Sequence, residues 1–391
     1  MRLPPAWTGA LAAGLVFLSV ATTSARATPI TPTSDDEVIE VLPAISATRN
    51  EDRQLRKRLA EHPHEAPLAT AVAQRYLEQA RESGDPRFAG LALAALRAWP
   101  DASTAPDGVL FLRATLEQYL HEFDASVAHL DILLARPGGE RNAQAWLTLA
   151  TVLRVQARYL ESDAACRRVG RAGAAVYAAA CVAENAALRG ETVAARRSFQ
   201  GLLADTRLAP STRGWLLTSL AELEQRDGHA AAADAAYRAV LRLDPDTYAA
   251  VAYADFLIAQ KRPAEALAAL KDETRTDPVL LRLAIAGTQA NTPSHERDVA
   301  EMRDRITLAN ERPEARIFHG REQAMFALAI DHDAERALEL ARGDVAQQRE
   351  PIDLLVLAEA ARASGRRDAI EEARRLKSSL GLHDRRIDAL L

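Results

Sequence analysis

The chain has 391 residues and a formal net charge of −5. It is rich in Ala, Leu, Arg and Glu and only 5% aromatic, which favours close-packed helices over sheet and predicts an all-α fold. The charge is mildly acidic and of mixed sign, and nucleic-acid binding depends on clustered Lys and Arg, so nucleic acid is disfavoured as a partner.

Residues 1–27 have the pattern of a secretory signal peptide. Arg2 gives a basic start, residues 7–20 are apolar, and Ala-Arg-Ala at 25–27 is a small-x-small cleavage signature. The apolar run is shorter than the ~20 residues that span a bilayer, so an uncleaved anchor is the alternative. We expect no membrane span after cleavage and no lipid anchor. The chain is predicted to be exported to a bacterial envelope, most simply the periplasm, with secretion as the alternative.

Residues 28–48 follow as a Thr/Pro-rich and then acidic segment. Its three prolines interrupt helix, so it is predicted to be a flexible leader. The alternative is that the apolar stretch around Ile39 docks as an extended strand. Residues 49–66 are predicted to hold a helix, beginning near Arg49 and ending before Pro63, and a linker.

Residues 67–381 repeat with a period of about 34 residues, which is typical of stacked helical hairpins. Each unit reads as two amphipathic helices around a turn that carries Gly or a polar residue. Two successive units show the repeated positions: Ala233, Tyr237 and Pro245, then Ala266, Leu270 and Pro278.

The clearest unit begins at Ala143. Its marked positions are Trp146, Leu149, Ala150, Leu153, Ala157, Tyr159, Ser162 and Cys166. This unit resembles the tetratricopeptide repeat (TPR), W-x2-L-G-x2-Y followed by A-x3-F and P, although Ala150 replaces the usual Gly and Leu153 the usual Tyr. The resemblance covers residues 67–381, most clearly 143–278. It implies a right-handed α-solenoid of eight or nine antiparallel hairpins, with residues 382–391 as a C-terminal tail or cap.

The resemblance also implies a peptide-binding site, because the first helix of each hairpin in this family lines a concave groove. Carried onto this sequence, the groove positions are Phe111, Thr115, Tyr119, Leu147, Thr151, Arg154, Tyr177, Glu184, Trp215, Glu222, Arg226, Tyr248 and Asp255. Aromatic anchors among charged groups suit peptide binding. The alternative is that some of these aromatics pack between hairpins, since a slip of one residue would turn Trp215 or Tyr177 inward.

Cys166 and Cys181 flank one predicted turn at similar distances, so antiparallel helices would bring them level. A disulfide between two hairpins is one interpretation, and an exported chain meets oxidising conditions. Two small buried core residues are the other.

Motifs for chemistry are not found in the sequence. It has no nucleophile elbow, phosphate-binding glycine loop, zinc-protease helix or dinucleotide fingerprint. The histidines around Pro63 lie on different sides of an extended segment, so we expect no metal site. Most carboxylates are assigned to i,i+4 ion pairs on helix surfaces.

These observations predict a non-enzymatic scaffold or adaptor without a cofactor, whose partner is a peptide or helix of another envelope protein. One alternative is a structural subunit of an envelope assembly or export machine, held by its convex face or its ends. A more remote alternative is a cell-wall-active enzyme. The oligomeric state is left open.

Overall fold

The computed structural model describes residues 47–311 and 320–391, which form helices joined by short turns. All the hairpins belong to one compact unit, Glu51–Leu391. The predicted signal peptide and the leader up to residue 46 lie outside the described residues. In the described ranges, no helix is both long enough and apolar enough to cross a bilayer.

The described helices form nine consecutive hairpins between a first helix and a short last one. Hairpin 1 is α2 with α3, hairpin 2 is α4 with α5, and the numbering continues to hairpin 9, α18 with α19; the first helix of each is its A helix and the second its B helix. The bounds are α1 Ala47–Glu61, α2 Ala66–Ser83, α3 Pro86–Ala95, α4 Asp107–Tyr119, α5 Phe123–Ala135, α6 Ala143–Val155, α7 Tyr159–Arg171, α8 Ala175–Leu188, α9 Thr192–Leu203, α10 Pro210–Arg226, α11 Ala230–Leu243, α12 Thr247–Ala259, α13 Pro263–Leu270, α14 Asp277–Ala290, α15 His295–Asn310, α16 Gly320–Phe326, α17 Ala334–Val345, α18 Pro351–Ser364, α19 Arg367–Leu380 and α20 Arg385–Asp388.

Each turn between an A helix and its B helix contains one residue with positive φ. These residues are Gly84, His121, Ala157, Gly190, Gly228, Lys261, Asn291, His332 and Gly365. The left-handed conformation ends a helix and lets the chain reverse, and it costs least for glycine and more for a residue such as Ala157. The turns that the sequence predicts by their Gly or polar residues are therefore found at those places.

Small residues allow the two helices of a hairpin to approach closely. Ala150 of α6 is fully buried, and its carbonyl accepts a 2.7 Å hydrogen bond from the hydroxyl of Ser162 on α7. Ser126 donates in the same way to the carbonyl of Ala114 at 2.8 Å in hairpin 2. A bulkier side chain at these positions would separate the helices and break the bond.

Ion pairs join consecutive hairpins, with partners 27 to 32 residues apart. The pairs of this kind include Arg154–Glu184, Arg196–Glu224, Arg262–Asp234, Arg282–Asp255 and Arg321–Asp353. The assignment of most carboxylates to surface i,i+4 pairs is wrong for these residues. The side chain of Asp353, for example, is 0% exposed.

The solenoid winds back onto itself, so that its later part stacks on its earlier part. The carbonyl of Val155, at the end of α6, accepts a 2.8 Å hydrogen bond from the N–H of Arg349, which precedes hairpin 9. Gly84 in the turn of hairpin 1 lies so close to Thr276 that an added Cβ would be 3.0 Å from the Cβ of Thr276. Early and late hairpins therefore contact each other across the inner side of the solenoid.

The C-terminal tail completes this contact. The N–H of His383 donates to the carbonyl of Leu188 at 2.7 Å, and Arg385 lies 3.8 Å from a carboxylate oxygen of Asp227. Leu382 and Ile387 are buried in the same apolar cluster as Leu188. The tail thus packs across the turns of hairpins 4 and 5.

Candidate functional site

A chamber of about 600 Å³ lies inside the wound solenoid. Its walls come mainly from the A helices α10, α12, α14 and α16, and further side chains come from the ends of α2 and α4, the segment from α17 to α18 and the C-terminal tail. Side chains from these elements include Arg81, Tyr119, Tyr248, Arg282, Glu350 and Arg386. The volume lies within the range of about 300–1,000 Å³ typical of ligand sites.

The chamber brings together five of the thirteen predicted groove residues: Tyr119, Glu222, Arg226, Tyr248 and Asp255. They come from three A helices: α10 and α12 belong to consecutive hairpins, and α4 lies about 90 residues earlier in the chain. Their role in binding stays a prediction.

The other eight predicted groove residues lie outside the chamber: Phe111, Thr115, Leu147, Thr151, Arg154, Tyr177, Glu184 and Trp215. Several of them join neighbouring A helices. Glu184 of α8 pairs with Arg154 of α6 and accepts a 2.6 Å hydrogen bond from the hydroxyl of Ser219 on α10. The rings of Tyr177 and Trp215 stack at 5.7 Å.

The hydroxyls of Thr115 and Thr151 donate to carbonyls four residues earlier in their own helices. Phe111 and Leu147 pack half-buried against the core of hairpins 2 to 4. The packing of Phe111 and Leu147 stabilises the stack of hairpins, whereas the two threonine bonds stay within one helix.

One wall of the chamber centres on Glu222. Oε1 of Glu222 accepts a 2.6 Å hydrogen bond from the hydroxyl of Tyr248, and Oε2 lies 3.7 Å from Nη1 of Arg226. The nearby Glu222 carboxylate holds the pKa of Tyr248 well above its ordinary value, and burial raises the pKa of Glu222 itself. Tyr248 as a whole remains 62% exposed, so it offers an aromatic surface to the chamber.

The opposite wall carries two guanidinium groups that sequence reasoning missed. Arg282 of α14 donates two 2.9 Å hydrogen bonds to Asp255. Arg321 of α16 donates to Asp353 at 2.5 Å and to Glu350 at 2.7 Å. Arg282 is the single charge in the apolar stretch LLRLAIA, a signal that could have identified it. Arg321 stands in a weak repeat that offered no such signal.

Two carboxyl groups meet behind Arg321. Asp344 lines the chamber and shares a side-chain hydrogen bond with Asp353. Burial raises the pKa of both groups, and the Arg321 charge counteracts part of that rise. The pair shares a proton more readily than two exposed carboxylates would, because two unscreened negative charges repel in a buried site.

Metal coordination finds no support in residues 47–311 and 320–391, where no group of three or more His, Cys, Asp or Glu side chains is placed to hold an ion. His62 and His64 are exposed, and the ring of His64 packs edge-on against Trp99 at 6.3 Å.

Cys166 of α7 and Cys181 of α8 form a disulfide, with Cα atoms 5.7 Å apart. Both residues are fully buried. The structure therefore agrees with the disulfide interpretation of these cysteines, and the bond links hairpin 3 to hairpin 4.

No protein-family model and no curated protein matches the sequence. Similar solved structures include a Rap protein complexed with competence and sporulation factor, 10% identical with a TM-score of 0.49, covering 88% of this chain and 94% of that one. The TPR domain of P58(IPK) is 14% identical with a TM-score of 0.21, covering 78% of this chain and 99% of that one. Likeness at this level carries no argument about function. The nine hairpins, their turns and the small residues between their helices show that this chain has a TPR-like helical repeat fold.

Proposed function

We propose that this protein is a non-enzymatic interaction protein that binds a short peptide segment of a partner in its chamber. The observation that carries the proposal is the exposed ring of Tyr248 on a wall of fixed polar groups. An aromatic anchor supplies buried apolar area on binding, and the charged groups around it supply orientation. Because the chamber has a volume of about 600 Å³, we propose a short segment in place of a long peptide or helix.

Replacing Tyr248 with alanine tests this proposal. We expect the dissociation constant for a bound peptide to rise at least about tenfold, near 1.4 kcal/mol, because the anchor ring is lost. The probe is the most enriched sequence from phage display of random peptides of about twelve residues on the whole chain, measured by fluorescence anisotropy. Tyr248→Phe keeps the ring and should bind within about threefold of the wild type.

Trp215→Ala is the matched control, because Trp215 is an aromatic residue on an A helix outside the chamber. We expect its affinity for the same peptide to be unchanged. A loss with Trp215→Ala and none with Tyr248→Ala would place binding outside the chamber and contradict the proposal. Circular dichroism of each variant checks that the helices are intact.

We further propose that the protein works in the bacterial envelope. The signal-peptide pattern of residues 1–27 supports this, and so does the disulfide, since such bonds persist mainly in oxidising compartments. Expressed with its own N-terminus in a Gram-negative host, the chain should be recovered from the periplasm with Thr28 as its first residue. Recovery from the cytoplasm with Met1 retained would contradict export, and an uncleaved chain in the membrane fraction would contradict cleavage.

A further inference from the structure

Arg226 differs from the other buried guanidinium groups of the chamber. It is 8% exposed, yet among the described residues it forms no hydrogen bond, and its ion-pair partner there, Glu222, is 3.7 Å away. Arg282 and Arg321, by contrast, each donate short hydrogen bonds to carboxylates. A guanidinium has five N–H donors, and because Arg226 lines the chamber, these donors are open to the space that a ligand would occupy. Arg226 is therefore equipped to donate to a ligand in the chamber.

Glu222 supplies an acceptor beside these donors. Its Oε1 is occupied by the hydroxyl of Tyr248, while Oε2, in the part of the chain that the structure describes, accepts no hydrogen bond. The chamber wall therefore presents a donor, Nη1 of Arg226, and an acceptor, Oε2 of Glu222, side by side at 3.7 Å.

We propose that Arg226 and Glu222 together bind an amide group of the peptide, a step that rests on the function proposed above. The amide carbonyl accepts from Arg226, and an amide N–H donates to Oε2 of Glu222. Two parts of a peptide offer this chemistry. An extended residue presents its own N–H and C=O along one edge, as in a strand pair, and the carboxamide of Asn or Gln carries both groups at its end.

Other ligand groups fit this wall less well. A carboxylate would accept hydrogen bonds from Arg226, but the negative charge of Glu222 would repel it. An ammonium group would donate to Glu222, but the positive charge of Arg226 would repel it. A hydroxyl can pair with both groups, but its two bonds meet at a single atom. An amide offers its oxygen to the donor and its N–H to the acceptor. It carries no net charge, so neither Arg226 nor Glu222 repels it.

The test uses small probes and the Nε–H resonance of Arg226 in an NMR spectrum of the whole chain. N-acetylglycine N-methylamide offers main-chain amides, propionamide offers a carboxamide alone, and N-acetylglycine has a carboxylate where the first probe has its second amide. We expect one or both amide probes to shift this resonance in a saturable way. The one that binds more tightly identifies the source of the amide. Tighter binding of N-acetylglycine than of either amide probe would overturn the proposal.

Glu222→Gln supplies the decisive variant, because it replaces the acceptor with a donor and removes a negative charge. Amide probes should bind at least about fivefold more weakly, and N-acetylglycine about fivefold more tightly. Glu339→Gln is the control, since Glu339 is an exposed carboxylate outside the chamber, so the variant removes a negative charge and should alter neither probe class. Equal effects of the two variants would show a general charge effect and contradict a specific pair.

The outcomes also separate this inference from the proposed function. If the selected peptide binds in a Tyr248-dependent manner while Glu222→Gln leaves its affinity unchanged, the amide pair is wrong and the chamber stays the binding site. If no peptide from the library binds the chain, the proposed function is contradicted, and so is the amide pair that rests on it.

Discussion

Replacing Arg321 with methionine is expected to lower the free energy of unfolding by about 3 kcal/mol. Arg321 is 19% exposed and pairs with Asp353, whose side chain is fully buried. Removing the cation leaves that carboxyl group without its counter-charge, next to Asp344 and Glu350, which is the costly way to break a buried ion pair. Urea unfolding followed by circular dichroism measures the loss.

The size of this loss should depend on pH. Burial raises the pKa of Asp344 and Asp353, so the folded chain holds their protons to higher pH than the unfolded chain does. Stability from these groups is therefore present at low pH and falls as pH rises through the folded pKa values. Without Arg321 these values rise further. Relative to the wild type, the variant should lose the least free energy of unfolding near pH 4, about where free aspartate titrates, and the most near pH 8.

Arg336→Met is the control for Arg321→Met, because Arg336 pairs with Glu339 on an exposed helix surface. We expect it to change the free energy of unfolding by less than about 1 kcal/mol at any pH. A loss for Arg321→Met that is equally small, or that does not vary with pH, would show that the Arg321–Asp353 pair is not the buried charge pair described here.

The second large effect is expected from the disulfide. Replacing Cys166 and Cys181 with alanine should lower the free energy of unfolding by about 3 kcal/mol, since the bond closes a segment with a sequence separation of 15. Alanine is chosen because both positions are fully buried, where serine would add hydroxyls in need of partners. Urea unfolding of both proteins gives the difference.

Reduction provides an independent measure of the same bond. Dithiothreitol should destabilise the wild type by a similar amount and leave the double alanine variant unchanged. Thiol titration of the unfolded, non-reduced wild type should find no free thiol. Two free thiols, or equal sensitivity of both proteins to reductant, would rule out the bridge.

The hairpins could be predicted from sequence because local rules determine them. A residue that permits the left-handed turn, such as Gly190, and a small residue where the helices meet, such as Ala150, recur with the repeat and are visible one at a time. The helix predicted from Arg49 to before Pro63 is found as α1, Ala47–Glu61, for the same reason.

The chamber could not be predicted, because it depends on how far each hairpin rotates relative to the one before it. Small rotations add up along the stack until Val155 meets Arg349, and no single residue encodes that sum. Assigning groove positions from the family pattern therefore found Tyr248 and Glu222. It missed Arg282 and Arg321, which reach the chamber only because the solenoid has wound round to face its own beginning.

Open arrays of repeats gain or lose a unit at little cost, since each unit touches only its neighbours. In this chain, adding or removing a hairpin would be costly. The bond between Leu188 and His383 ties hairpin 4 to the end of the array, so adding or deleting one hairpin between them would carry the tail past its docking site. The number of hairpins between hairpin 4 and the tail is thus set by the geometry of this contact.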